Sequence, residues 1–170
     1  MKPPQSTFQH RYHLADRIWA DCYIGYQFTE YPDLSPTKES VAAWLNHHPF
    51  APVFGVPGFA AERLRVEPQA LHAVGIQEAV AMMETMIRQA VHYGSNESLP
   101  PEEPSELALL FLGEFEAPAV FANFYLSQSS ARQYIGSFSQ VVAGYGYSSE
   151  ALLCCIDRRR IGVLFSIENE

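Results

Sequence analysis

LALLFL at 107–112, AVFANFYL at 119–126, ALLCCI at 151–156 and IGVLFSI at 161–167 are four apolar runs, and ARQYIGSFSQVVA at 131–143 lies between the second and third. LALLFL is apolar at every position, which predicts a central strand covered on both faces. In AVFANFYL one parity gives Val120, Ala122, Phe124 and Leu126, and the other gives Phe121, Asn123 and Tyr125. IGVLFSI places Ile161, Val163, Phe165 and Ile167 on one face of a strand. In the middle segment Tyr134, Ile135, Phe138, Val141 and Val142 suit an amphipathic helix, with Ser129 or Ser130 as cap and Gly144 near its end. Asp157 to Arg160 reads as the turn of the last hairpin. These readings predict a C-terminal β-β-α-β-β unit, hence an α+β fold with a mostly antiparallel sheet.

Upstream, the clearest helix spans about 68–93: Ile76, Val80, Met83, Ile87 and Val91 repeat at helical spacing, with Gln77, Glu78, Glu84, Arg88 and Gln89 opposite. Gly94 stands where a C-cap glycine belongs. The acidic, proline-rich GSNESLPPEEPS at 94–105 is a surface loop, or a joint dividing a single 1–170 domain into 1–93 and 106–170. Ser35-Pro36 marks a helix start that presents Val41, Trp44 and Leu45 and stops before Pro49. PFAPVFGVPG at 49–58 is too rich in proline and glycine for regular structure. From Arg17 to Thr29 the alternation of Ile18, Ala20, Cys22, Ile24, Tyr26 and Phe28 favours a strand over a helix. Residues 1–8 form a loose end.

With 48% hydrophobic and 13% aromatic residues, 170 residues can bury a full core, which argues against disorder. No apolar run reaches the length of a spanning helix, and the first residues lack the apolar core of a secretory signal. Cys22, Cys154 and Cys155 are an odd number without framework spacing, so reduced thiols in a cytoplasmic protein are expected. The net charge of −8 is spread along the chain: residues 1–93 hold 7 basic and 9 acidic groups, 94–105 hold 3 acidic, and 106–170 hold 4 basic and 7 acidic. Such a field opposes nucleic acid and speeds encounter with a basic protein; it also serves solubility.

Candidate chemistry is sparse. His10, His13 and Asp16 are an alternative metal set, but no third ligand stands at a diagnostic spacing, and the adjacent His47 and His48 suit a helix C-terminus. The cysteines share apolar strands, the serines lack a nucleophile elbow, and Gly144-Tyr145-Gly146-Tyr147 follows a helix, the wrong polarity for phosphate. The acid pairs Glu114/Glu116 and Glu102/Glu103 sit in loops or turns. Arg158, Arg159 and Arg160 suit a solvated turn better than an anion contact. No catalytic residue, metal or cofactor is assigned.

The aromatic residues are the suggestive signal. Trp19, Tyr23, Tyr31 and Asp33 in the first part, with Phe121, Tyr125, Tyr145 and Tyr147 in the second, are the expected partner-binding residues, since Tyr and Trp combine an apolar body with a polar tip. Small size, negative charge and few cysteines resemble the profile of immunity proteins and antitoxins, and the element order from about residue 68 resembles acidic secretion chaperones. The resemblance implies a non-enzymatic cytoplasmic domain that masks a basic protein partner, with no nucleic acid or membrane and with room for a homodimer. A small metal-dependent enzyme is the alternative, and a small-molecule-binding domain the weaker one.

Overall fold

The computed structural model describes residues 8, 24–30, 35–47, 53–54, 64–93, 102–131, 133–142 and 149–168. Their centre is β7 (Ser149–Ile156), in which all eight residues are buried. A strand apolar on both parities must be covered on both faces, and this one is. Ala151, Leu153 and Cys155 join one core; Leu152, Cys154 and Ile156 join the other.

The sheet has six strands in the order β2-β1-β8-β7-β4-β3. They are β1 (Ile24–Glu30), β2 (Val53–Phe54), β3 (His72–Val74), β4 (Ala119–Ala122), β7 and β8 (Arg160–Glu168), and every pairing is antiparallel. Both halves of the chain contribute strands to it, so the α+β, antiparallel expectation holds for a single domain. Against one face lies α1 (Lys38–His47) with segment 64–71; against the other lie α2 (Ile76–Tyr93) and α3 (Glu103–Leu112). No helix among the described residues is long and apolar enough to cross a membrane.

On the α2–α3 face Phe8, Tyr26, Phe28, Phe111 and Phe115 meet with ring centroids 5.1–5.9 Å apart. Edge-on and tilted packing of this kind adds to the area that each ring buries. Gly162 makes room for it, because a Cβ there would come within 2.9 Å of the Phe28 ring. On the α1 face Asn46 holds segment 64–66: its Nδ2 donates to the Val66 carbonyl at 2.8 Å and its Oδ1 accepts from the Val66 amide at 2.6 Å.

Several elements differ from their sequence-based expectations. LALLFL is the body of α3, not a strand: Leu107, Ala108 and Phe111 face the core while Leu109 is 57% exposed. Pro104 at the first turn, Glu103 and Glu106 beside the positive helix end, and the lack of any β-branched residue favour the helix. The middle segment is not a helix but β6 (Gln133–Phe138), paired with β5 (Phe124–Gln128), so the C-terminal part runs α-β-β-β-β-β in place of β-β-α-β-β. The long helix begins at Ile76, after a 3-10 turn at Pro68–Ala70 and strand β3; Met83 and Ile87 are buried as expected, joined by Ala79, Met82 and Met86, whereas Ile76 is exposed. Helix α1 is capped by Thr37, whose hydroxyl accepts from the Ser40 amide at 3.2 Å, and not by Ser35. The turn at Asp157 is as expected: its carboxylate accepts from the amides of Arg159 (2.8 Å), Arg160 (2.9 Å) and Glu116 (2.9 Å).

Candidate functional site

The site begins at Asn123, where the run AVFANFYL divides into two strands. Asn123 is 2% exposed, and its side chain replaces a stretch of ladder: Oδ1 accepts from the Leu152 amide at 2.7 Å, and Nδ2 donates to the carbonyls of Ser139 (2.7 Å) and Glu150 (2.8 Å). β4 therefore ends in the main sheet, and β5 departs to pair only with β6. The inner pairs of that hairpin, Phe124 with Phe138 and Leu126 with Ile135, pack on the α2–α3 core. The outer pairs are Tyr125 with Ser137 and Ser127 with Tyr134. The register shifts between Tyr125 and Leu126, which leaves Gly136 as an extra residue against Ser127; a side chain there would collide with the serine.

Tyr125 is 54% and Tyr134 43% exposed, two of the four large hydrophobic residues exposed among the described ones. Neither β5 nor β6 carries a charged residue. Tyr125 lies flat on the imidazole of His72, with ring centroids 4.0 Å apart and an angle of 5°. His72 belongs to β3, the edge of the main sheet, and its Nε2 is buried without a hydrogen-bond partner. Burial lowers its pKa from the ordinary histidine value, while the carboxylate of Glu78 pulls the other way; the first effect prevails and keeps the ring neutral. Ile76, 47% exposed, follows four residues on at the start of α2.

Of the residues expected to meet a partner, Tyr125 is on this surface. Phe121 is instead a core residue of the α1 face, 7% exposed, because its parity in β4 is the inward one there. Trp19, Tyr23, Tyr31, Asp33, Tyr145 and Tyr147 lie outside the described residues, as do His10, His13 and Asp16 of the metal alternative. His72 and Ile76 were not expected beside Tyr125, and Tyr134 was noted among the aromatic residues but placed in a helix: the helical readings of 68–93 and 131–143 hid the arrangement. A hairpin reading of 124–138 would have brought Tyr125 and Tyr134 to one side.

Among the described residues, the other groups singled out in the sequence are buried, hydrogen-bonded or exposed in a turn. Cys154 and Cys155 are free thiols, and burial raises both pKa values far from the thiolate range that a nucleophile needs. Glu114 accepts from the Phe8 amide at 3.1 Å and lies 3.5 Å from the Arg160 guanidinium. Glu103 is buried in the first turn of α3, and Arg158 and Arg159 are exposed in their turn. Among the described residues no three His, Cys, Asp or Glu side chains are grouped to hold a metal. What the hairpin face offers is stacking area and tyrosine hydroxyls, the chemistry of recognition. No family model, curated protein or solved structure matches this chain.

Proposed function

We propose that this protein is a non-enzymatic binding domain that masks a basic protein partner, in the manner of an immunity protein, antitoxin or secretion chaperone, and that it docks through the outer face of the β5–β6 hairpin. The observation that carries this reading is the pair Tyr125 and Tyr134, both exposed on a hairpin whose two strands carry no charge and which lies outside the main sheet. Tyrosines so placed supply contact area at little entropic cost, and they stack well on arginine. The acidic background sets the sign of the partner. Glu67, Glu78, Glu102, Glu106 and Glu116 are all exposed, and the whole chain carries −8. Such a field raises the rate of encounter with a basic surface.

The test compares capture by the wild type with capture by Tyr125→Ser/Tyr134→Ser from an extract of the source cells, at low and high salt. The expected result is a basic protein retained by the wild type at low salt, released by salt, and absent from the double variant. Equal capture by both forms, or none by either, contradicts the proposal.

A further inference from the structure

Glu150 breaks the rule that a buried charge is paired. It is 0% exposed in the central strand, on the α1 face. One oxygen, Oε2, accepts from two consecutive amides, Val141 at 2.6 Å and Val142 at 3.0 Å. The other, Oε1, is buried and has no hydrogen-bond partner. Among the described residues, the charged and titratable groups on the surrounding elements are Lys38, Glu39 and His47 in α1, Arg65 in segment 64–66, Cys154 and Cys155 in β7, and Arg160 and Glu168 at the two ends of β8. None of them makes an ion pair or hydrogen bond with Glu150. The clamp is also an architectural joint. Val141 and Val142 run beside segment 64–66, through a bridge between Val142 and Leu64 and a bond of 2.7 Å from the Arg65 amide to the Val141 carbonyl. Asn46 then ties that segment to α1.

We propose that Glu150 is a buried proton-binding switch: Oε1 takes up a proton while Oε2 keeps the amides of Val141 and Val142, so that acidification tightens the seam joining β7 to segments 141–142 and 64–66. Protonation removes an uncompensated charge from the core and leaves both amide bonds in place. In agreement with the geometry, burial raises the Glu150 pKa above its ordinary 4.5, and the two amides oppose this without cancelling it. A carboxyl whose pKa is higher folded than unfolded binds more protons in the folded state. It therefore burdens the fold at neutral pH, and that burden is lifted as pH falls through the folded pKa towards 4.5. His72 acts in the opposite sense, because its lowered pKa weakens the fold as pH falls below 6.5. Asp157, held below its usual 3.8 mainly by backbone amides against the effect of burial, acts only in a more acid range.

The experiment measures unfolding by urea for the wild type and Glu150→Gln at several pH values from 8 to 4. The contributions of His72 and Asp157 cancel in the difference between the two forms. The expected result is that the wild type gains on the variant as pH falls, by about tenfold in folding equilibrium constant for each unit by which the folded pKa exceeds that of the unfolded chain. A difference that stays constant over this range overturns the proposal. Should the variant fail to fold, carbon-detected NMR titration of the Glu150 carboxyl in the wild type decides alone: an apparent pKa above 4.5 supports the switch, and one at or below 4.5 ends it.

Discussion

Asn123 shows how one side chain sets the topology of a region. By parity it belongs with Phe121 and Tyr125 on a face of one long strand, and the run AVFANFYL gives no hint of a break. The break comes from a residue 29 positions away, Leu152, whose amide the Asn123 carboxamide satisfies, together with the carbonyls of Ser139 and Glu150. Long-range bonds of this kind leave no periodic trace, which is why the split was not legible. Replacing Asn123 by Ala strands the buried Leu152 amide and Glu150 carbonyl and frees the Ser139 carbonyl, and is expected to cost more than about 2 kcal/mol in urea unfolding; a loss under about 0.5 kcal/mol, the range of neutral surface changes, would show the bonds to be dispensable. The cysteines, in contrast, were readable from their neighbours. Apolar residues on both sides of Cys154 and Cys155 implied a covered strand, with the two thiols on opposite faces, and they do fall in separate cores. With Cys22 changed to Ser, a thiol reagent should find no reactive cysteine in the native protein and both of them after denaturation. Rapid modification under native conditions would mean that β7 is not the covered strand described above.

At the scale of elements, the β7–β8 hairpin, the strand at Ile24–Glu30 and the C-terminal end of α1 were legible, because strand parity and turn chemistry act over a few residues. The two exchanged assignments have a common cause. Apolar runs of six residues do not distinguish a buried strand from a buried helix, so LALLFL was open to either. Its Leu and Ala content, with no β-branched residue, was the discriminating signal. The segment 131–143 carried the opposite signal in Gly136, Ser137 and Ser139, poor helix residues that a bulged hairpin uses well. The helical identity of 103–112 is open to a direct check. Leu109 points outward and Phe111 inward, so Leu109→Gln should change stability by less than about 0.5 kcal/mol. Phe111→Ala should cost about 3–5 kcal/mol. In a strand these two residues share a parity, and similar losses at both sites would favour that geometry over the helix.

For the molecule as a whole, the α+β class with a mostly antiparallel sheet was legible, and which aromatic residues reach the surface was only partly so. Composition gave enough apolar residues for two cores, and the structure fills both, one on each side of β7. Aromatic residues were singled out together, but parity alone did not separate Phe121, which packs inside, from Tyr125, which does not. That separation depends on which face of a strand the helices cover, a property of the assembled sheet. Exposed tyrosines on two uncharged strands within an acidic molecule are the basis of the proposed docking, and the partner's affinity is the quantity on which it stands. The decisive measurement is the dissociation constant of the captured basic partner for the wild type and for Tyr125→Ser/Tyr134→Ser, with both forms shown to have the same melting temperature. Loss of two aromatic anchors predicts binding weaker by about tenfold or more, corresponding to at least about 1.4 kcal/mol. Equal affinity of the two forms would contradict the assignment of this face.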